Sequence, residues 1–417
     1  MSILAMILAG GKGERLHPLT VHRAKPAVPF GGIYRIIDFT LSNCINSRIR
    51  KIAVLPQYKS LSLDKHLRLA WNLFSGELNE YIISVPPQQR VGEKWYQGTA
   101  DAIYQNIYMI EKDAPEYVLV LAGDHVYKMD YAEMFQFHKE NKIDATVAAI
   151  ETPRTNAASF GVVEVDNNGR ILGFEEKPKD PRSIPGRPDM AFASMGIYLF
   201  NTKTLLEYLK SDALQDTAHD FGKNIIPQMM KTARVFAYNF KDENKKEAKY
   251  WRDVGTIDAY FETNMDLVSV DPLLNLYDKA WPIRTYQAQN PPAKFVFAQE
   301  KKGGRFGIAV DSIVAHGCIV SGGRVQNSVL SPNVRVNSFS DVRDSILMEN
   351  VDIGRHCRIR RAIIDKDVMI PPETEIGYNL AEDKKRYHVT ASGITVIAKG
   401  TEISDKVKAA AMVEERK

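Results

Sequence analysis

The stretch Ile3-Leu-Ala-Met-Ile-Leu-Ala-Gly10-Gly11-Lys12-Gly13-Glu14-Arg15-Leu16 decides how the rest of the chain is read. An uncharged apolar run of strand length that breaks into glycines predicts a strand buried on both faces and ending in a turn. Glycines after a strand let backbone N–H groups converge on an anion with no Cβ in the way, and such a concave array binds phosphate. Arg15, and Lys25 in the following Lys25-Pro-Ala27, add positive charge. The loop is not a Gly-x-x-x-x-Gly-Lys-Ser/Thr motif, and Leu16 stands where the dinucleotide fingerprint needs its third glycine. A bare Gly-x-Gly also punctuates ordinary turns, so the loop alone specifies no reaction. No basic segment precedes the apolar run, which therefore reads as a strand and not as a signal peptide.

Outward from this strand, short β-branched runs alternate with amphipathic stretches to about residue 270, the pattern of an α/β domain with a mostly parallel sheet. Strands are predicted at Ile3–Ala9, Ile52–Leu55, Tyr117–Ala122, Ala145–Ile150, Gly161–Val165 and Met195–Phe200. Helices are predicted over Ala102–Lys112, with Ile103, Ile107 and Ile110 on one face, and over Tyr131–Asn141. Asn290-Pro-Pro292 then interrupts the pattern. Beyond residue 308 branched apolar residues recur every six positions, at Ile313, Ile319 and Val325, at Val336 and Val342, at Ile353 and Ile359, and, shifted by one, at Ile364, Ile370 and Ile376. That period predicts a parallel β-helix, and Ile353-Gly-Arg-His-Cys-Arg358 and Ile376-Gly fit the hexapeptide repeat of left-handed β-helices. Chance spacing on an antiparallel sandwich is the alternative. The predicted organisation is an α/β domain over 1–285, a linker over 286–307 and a β-helix over 308–417 that ends in a charged, frayed tail, Asp405–Lys417.

The chain has 417 residues, 44% of them hydrophobic and 25% charged, which suits two or three globular domains and excludes fibrous or wholly disordered classes. Lys+Arg 55 against Asp+Glu 51 leaves +4, too balanced for the broad basic field of a nucleic-acid binder. Cys44, Cys318 and Cys357 are too few and too scattered for a disulfide framework or a Cys-x-x-Cys metal site. No apolar stretch reaches the roughly 18 residues of a membrane span. The expected compartment is the cytoplasm.

Four further segments carry chemistry. In Leu121-Ala-Gly-Asp124-His125 an acid ends an apolar strand, where open α/β sheets bind ligands. In Tyr250-Trp-Arg-Asp253-Val-Gly-Thr256 a second acid lies between an aromatic and a glycine turn. Magnesium takes one or two carboxylates and completes its octahedron with water and substrate phosphates, so two isolated aspartates suit it. An aspartate before a helix also serves as an N-cap, the alternative for Asp253. Glu176 and Lys177, with Ser194 and Gly196 downstream, offer a point charge for a sugar phosphate and partners for hydroxyls, or merely a solvated turn. In Trp95-Tyr-Gln-Gly-Thr-Ala-Asp101 two aromatics precede a helix capped by Thr99, and they would either stack on a ligand or staple the cap. No Ser-His-Asp order, nucleophile elbow or zinc pair is visible, and His125 reads as structural.

These motifs, taken with Arg35-Ile-Ile-Asp38, Ser42–Asn46, Asp220-Phe-Gly-Lys223, Trp281–Tyr286 and Pro291–Phe295, resemble the bacterial ADP-glucose pyrophosphorylases over nearly the whole chain. The resemblance implies a GT-A-like, Rossmann-type nucleotidyltransferase domain followed by a C-terminal left-handed β-helix, assembled as a homotetramer. It implies that ATP and glucose 1-phosphate give ADP-glucose and pyrophosphate for glycogen synthesis, with Mg2+ as cofactor. By motif, Asp124 matches the catalytic metal aspartate and Asp253 its partner, while Tyr96, Gly161, Glu176, Lys177 and Ser194 match the glucose 1-phosphate contacts. Gly10, Gly11, Gly13, Arg15 and Lys25 match the ATP loop, with Arg15 and Lys25 also catalytic. Where members activated by fructose 1,6-bisphosphate carry Lys-Arg, this chain has His22-Arg23, which points to another anionic effector. Arg23, Arg358, Arg360 and Arg361 are its candidate basic patch. Rival readings are a UTP- or dTTP-using relative, an acyl-transferring β-helix with His316 or His356 as base, and a non-catalytic regulatory subunit.

Overall fold

The computed structural model describes residues 2–88, 95–242, 247–299 and 303–403, so the tail from Asp405 lies outside the described residues. The described chain divides into two compact units, residues 2–11, 37–251 and 281–283 in the first and 12–36, 252–280 and 284–403 in the second.

The first unit is built on a nine-stranded sheet. Its strands are β1 (Ile3–Ala9), β2 (Lys51–Pro56), β3 (Tyr81–Ser84), β4 (Tyr117–Ala122), β5 (Ala145–Pro153), β6 (Gly161–Val165), β7 (Ile171–Glu176), β8 (Met190–Asn201) and β9 (Val235–Asn239). They lie in the order β7-β6-β8-β4-β1-β2-β3, with β5 joining β8 to β9. As the apolar run requires, β1 sits in the middle and pairs in parallel with β2 and β4. The sheet is mixed and not mostly parallel, because the 12-residue β8 runs antiparallel to β4, β5 and β6. A register shift in β8 between Ser194 and Tyr198, with Gly196 at φ 65°, breaks it into two pairing segments.

Apolar side chains from one face of the sheet and from flanking helices make a core cluster, including Leu4, Val118, Val147, Phe200 and Phe221. The single helix expected over Ala102–Lys112 is two, Thr99–Tyr104 and Ile107–Asp113. Asn106 divides them: its amide donates to the Ala102 carbonyl and to the Tyr96 hydroxyl, both at 2.8 Å, a local alternative to the helix ladder.

In the second unit, residues 294–397 form three parallel sheets of five, five and six short strands, with one antiparallel edge strand, His388–Val389. The β-helix is present, but its coil is shorter than three full hexads. Val336 pairs with Ile353 and Ile353 with Ile370, Val342 with Ile359 and Ile359 with Ile376, and Leu347 with Ile364, a step of 17 residues each time. This explains the one-residue slip in the apolar period. The first coil is shorter again, with Val320 opposite Val336, so Val320 is fully buried and the predicted core residue Ile319 only partly so. Three inward columns result, headed by Phe295, Ala309 and Val314. The chain turns each corner on left-handed residues at the same step, such as Asn333, Asn350 and Asp367. Their side chains form a hydrogen-bonded ladder, Asn333 to Asn350 at 3.3 Å and Asn350 to Asp367 at 2.8 Å. No helix among the described residues is long and apolar enough to cross a membrane.

Candidate active site

At the end of β4, directly before Asp124, stands a glycine whose surroundings would crowd any Cβ. A Cβ on Gly123 would lie 2.8 Å from Ile37 Cδ1 and 3.2 Å from the Leu8 carbonyl, so the chain passes tightly between β1 and the buried helix Ile37–Asn46. Thr40 of that helix donates to the Ala122 carbonyl at 3.0 Å and fixes the strand end. Asp124 then emerges with its carboxylate about one-third exposed, 3.6 Å from His125 Nε2. The opposite ring nitrogen, His125 Nδ1, is buried with no partner among the described residues. The His125 ring meets Trp251 edge to face at 5.0 Å, and Trp251 meets Phe160 at 5.3 Å.

Phe160 leads into a second wall. β6 and β7 set Gly161 opposite Glu176, and β6 and β8 set Val162 opposite Ala193, which brings Ser194 beside the same rung. A Cβ on Gly161 would lie 2.9 Å from Glu176 Oε2, so this glycine leaves room for the carboxylate. Lys177 follows in a left-handed conformation, φ 51°, its amide donating to the Phe160 carbonyl and its ammonium 3.6 Å from Glu176 Oε1. Thus Gly161, Glu176, Lys177 and Ser194 come together. Of the two readings for Tyr96, stacking on a ligand or stapling the cap, its burial fits the second: it is 9% exposed, burial raises its phenol pKa, and its hydroxyl accepts from Asn106. Trp95 is the exposed aromatic of that pair.

Thr99 does not cap its helix. The N-cap is Gly98, and Thr99 instead donates to Asp220 Oδ2 at 2.9 Å and accepts from the Phe221 amide. Asp220 also accepts from the Gly222 and Lys223 amides, at 2.9 and 3.1 Å. A Cβ on Gly98 would fall 2.2 Å from the His219 carbonyl, which itself accepts from the Ala100 amide at 2.8 Å. Asp220 is therefore the clasp between segment 96–101 and the helical turn Phe221–Ile225, which it N-caps. The sequence reading assigned it no role, and the signal available was an aspartate in position to cap a helix.

The phosphate loop begins with Gly10, where a Cβ would press on Gln57 at 3.1 Å, and Gly11, whose Cβ position is open. In the second unit Gly13 takes φ 65° and its carbonyl accepts from Thr20 at 2.9 Å. Lys25 is buried with its Nζ 2.9 Å from Asp253 Oδ1, and the exposed Arg15 reaches within 3.9 Å of Asp253 Oδ2. A Cβ on Gly255 would lie 2.9 Å from both Asp253 oxygens, so that glycine makes space for the carboxylate. Thr256 caps helix Ile257–Asp266 by accepting from the Ala259 amide, which removes the cap alternative for Asp253.

Asp124 and His125 in the first unit and Asp253 in the second each offer one ligand atom of a kind that metal ions take. The oxygen-rich donor set fits a hard divalent cation, and the unpartnered His125 Nδ1 marks incomplete polar satisfaction at the same turn. His125 thus has a stronger claim to function than the sequence reading allowed it.

The effector candidates separate. Arg23 is 4% exposed and paired with the equally buried Asp365 at 2.8 Å, so it is corrected out of any solvent-facing patch. Arg361 lies over the Phe261 ring at 5.5 Å. Arg358 and Arg360 do face solvent, in a groove of about 630 Å3 that also holds Asp341 and Asp344. Arg358 pairs with Glu375 at 2.7 Å and Arg360 approaches Asp344 at 4.0 Å.

The nucleotidyl transferase family matches residues 4–270, and the GlmU-like C-terminal hexapeptide family matches residues 291–397. The chain is 58% identical to the glucose-1-phosphate adenylyltransferase of Rhodopirellula baltica over 97% of its own length and 91% of that protein's. It is 58% identical to the enzyme of that name in Koribacter versatilis, covering 95% of each chain, and 51% identical to glucose-1-phosphate adenylyltransferase 2 of Vibrio cholerae, covering 96% of this chain and 98% of that one. With a nucleotidyl transferase domain, a hexapeptide β-helix and this likeness along nearly its whole length, the chain belongs to the glucose-1-phosphate adenylyltransferases.

Proposed function

We propose that this chain transfers the adenylyl group of ATP to α-D-glucose 1-phosphate, giving ADP-glucose and pyrophosphate for glycogen synthesis in the cytoplasm. An oxygen of the sugar phosphate forms a bond to the α-phosphorus of ATP as the bond from that phosphorus to the β-phosphate bridging oxygen breaks. Two anions must meet, so positioning and charge screening are the main tasks of the protein. The observation that carries the reading is the rung holding Gly161, Glu176 and Ser194 with Lys177 at its end. In this role Lys177 binds the sugar phosphate as a point charge, Glu176 and Ser194 take sugar hydroxyls, and Tyr96 supports the pocket from its buried side. Gly10, Gly11 and Gly13 present backbone amides to the triphosphate, while Arg15 and Lys25 neutralise its charge. Asp124 and Asp253 are the proposed ligands of Mg2+. When bound, that ion supplies Lewis-acid polarisation of the phosphates and stabilises the departing pyrophosphate.

The assembly is proposed to be a homotetramer. An anionic metabolite is the proposed effector, and Arg358 and Arg360 its site, chosen because these two line one groove, which Arg361, also exposed, does not. Pyrophosphate release measured with glucose 1-phosphate and each of four nucleoside triphosphates, with and without glycolytic anions, tests both parts. No release with ATP, or faster release with UTP or dTTP, would overturn the reaction; no anion changing kcat or KM would overturn the regulation.

A further inference from the structure

Asp212 ends helix Thr202–Asp212 with its side chain buried, yet among the described residues no Lys or Arg pairs with it. A carboxylate in that setting needs donors for both oxygens. Thr217 donates to Oδ1 at 2.9 Å, and His219 Nδ1 stands 2.8 Å from Oδ2. Because the acceptor is a carboxylate, Nδ1 carries the ring proton. The His219 amide donates to Thr217 Oγ1 at 3.0 Å, so ring and backbone of one residue are tied to the same carboxylate, one directly and one through Thr217. His219 needs both ties: it takes φ 48°, in the left-handed region that a residue with a side chain enters only where its surroundings over-determine it.

That conformation delivers the His219 carbonyl. It accepts from the Ala100 amide at 2.8 Å and the Asp101 amide at 3.2 Å, two first-turn donors of helix Thr99–Tyr104, whose N-cap Gly98 has no side chain to satisfy them. Asp101 in turn accepts from the Gln97 amide at 2.9 Å, directly after Tyr96. We propose that His219, anchored by Asp212, is a positioning residue for the glucose 1-phosphate pocket. It sets the start of that helix and, through Asp101, the backbone at Gln97 that carries Tyr96. The proposal rests on the reaction proposed above, in which Tyr96 supports that pocket. It is separate from the Asp220 clasp, because Asp220 holds Thr99 by its side chain and His219 holds the next two residues by its backbone.

Hydrogen exchange at the Ala100 and Asp101 amides of the full chain, read beside steady-state kinetics, tests it. His219→Gly relieves the left-handed backbone and removes only the ring. It should exchange those amides about tenfold faster or more. It should also raise the KM for glucose 1-phosphate on the order of tenfold, with the ATP KM and the melting temperature nearly unchanged. His219→Asn should restore both readings, since Asn accepts the left-handed backbone and offers a side-chain N–H in place of Nδ1. If His219→Gly does not fold, Asp212→Asn decides: it keeps the shape, leaves one acceptor oxygen for two donors, and should move both readings the same way. A folded variant with wild-type protection and KM overturns the proposal, and so does a loss in His219→Gly that His219→Asn does not restore. Faster exchange with an unchanged KM overturns it too, leaving a tie that holds the helix and nothing more. A wild type that turns over no glucose 1-phosphate sinks the reaction instead, and the exchange readings then still decide whether His219 sets the helix start.

Discussion

Arg23 and Asp365 form an ion pair withdrawn from water, with Arg23 Nη1 2.8 Å from Asp365 Oδ1 and the two side chains 5% and 2% exposed. Asp365 also accepts from the Lys366 amide at 2.7 Å. Removing one partner of such a pair leaves a buried charge uncompensated, which costs about 3–5 kcal/mol. Arg23→Ala should therefore lower the unfolding free energy by that order, and a double variant with Asp365→Leu should recover much of the loss. Denaturant titration of the three proteins checks this. A stable Arg23→Ala chain that had merely lost effector response would contradict the structural role.

Asp220 is predicted to act through position and not through contact with the reacting atoms. Asp220→Ala releases Thr99 and the Gly222 and Lys223 amides, at a cost of about 1–3 kcal/mol for groups left unsatisfied. A double-mutant cycle with Thr99→Val should show coupling, since the two share one hydrogen bond. The KM for glucose 1-phosphate should rise more than kcat falls. Additive losses in the cycle would remove the clasp.

How much of this was legible beforehand depends on whether a residue's partners are near it in sequence. The limits of β1, β4 and β6 were readable because apolar runs and glycines punctuate them locally. β8 was underestimated because its first half, Met190–Ser194, pairs across two neighbours that no local pattern reveals. The β-helix announced itself by period, yet the step is 17 and not 18, and one residue shorter still in the first coil, which puts Val320 and not Ile319 inside. Gly161, Glu176 and Ser194 could be named from motifs, but only strand register puts them on one rung. The burial of Arg23 had no sequence signal at all: Arg23 and Asp365 are separated by 342 positions.

For the reaction itself, Asp124→Asn should leave the fold intact, since the side chain is about one-third exposed beside His125, while cutting kcat on the order of 10²-fold or more. Lys177→Gln should leave kcat nearly unchanged and raise the KM for glucose 1-phosphate, the mark of a ground-state contact. Steady-state kinetics with each substrate varied in turn separates the two. Near-normal turnover in Asp124→Asn, or a weakened ATP KM in Lys177→Gln, would refute the roles given.

Lys366 supplies a test by pH. Burial, then the nearby Arg35 guanidinium, outweigh Glu349 at 2.6 Å and lower its pKa from 10.5 to about 8. Between those values the unfolded chain holds a proton that the folded chain has released, so stability rises with pH through that window. Below pH 8 the cost of burying the charged ammonium is fully present, and it fades towards pH 10.5. The gain is at most about 3 kcal/mol, from about 1.4 kcal/mol per pKa unit. The buried thiols of Cys44, Cys318 and Cys357 and buried tyrosines such as Tyr387, whose pKa values burial raises, pull the other way as the unfolded thiols ionise at about pH 8.5 and the phenols at about pH 10. The Lys366 contribution is therefore read as a difference: from pH 7 to 9.5 the urea midpoint of the wild type should rise relative to that of Lys366→Met at the same pH. A gap between the two that stays constant or moves the other way would show that the Lys366 ammonium is held by Glu349 more strongly than burial and Arg35 oppose it.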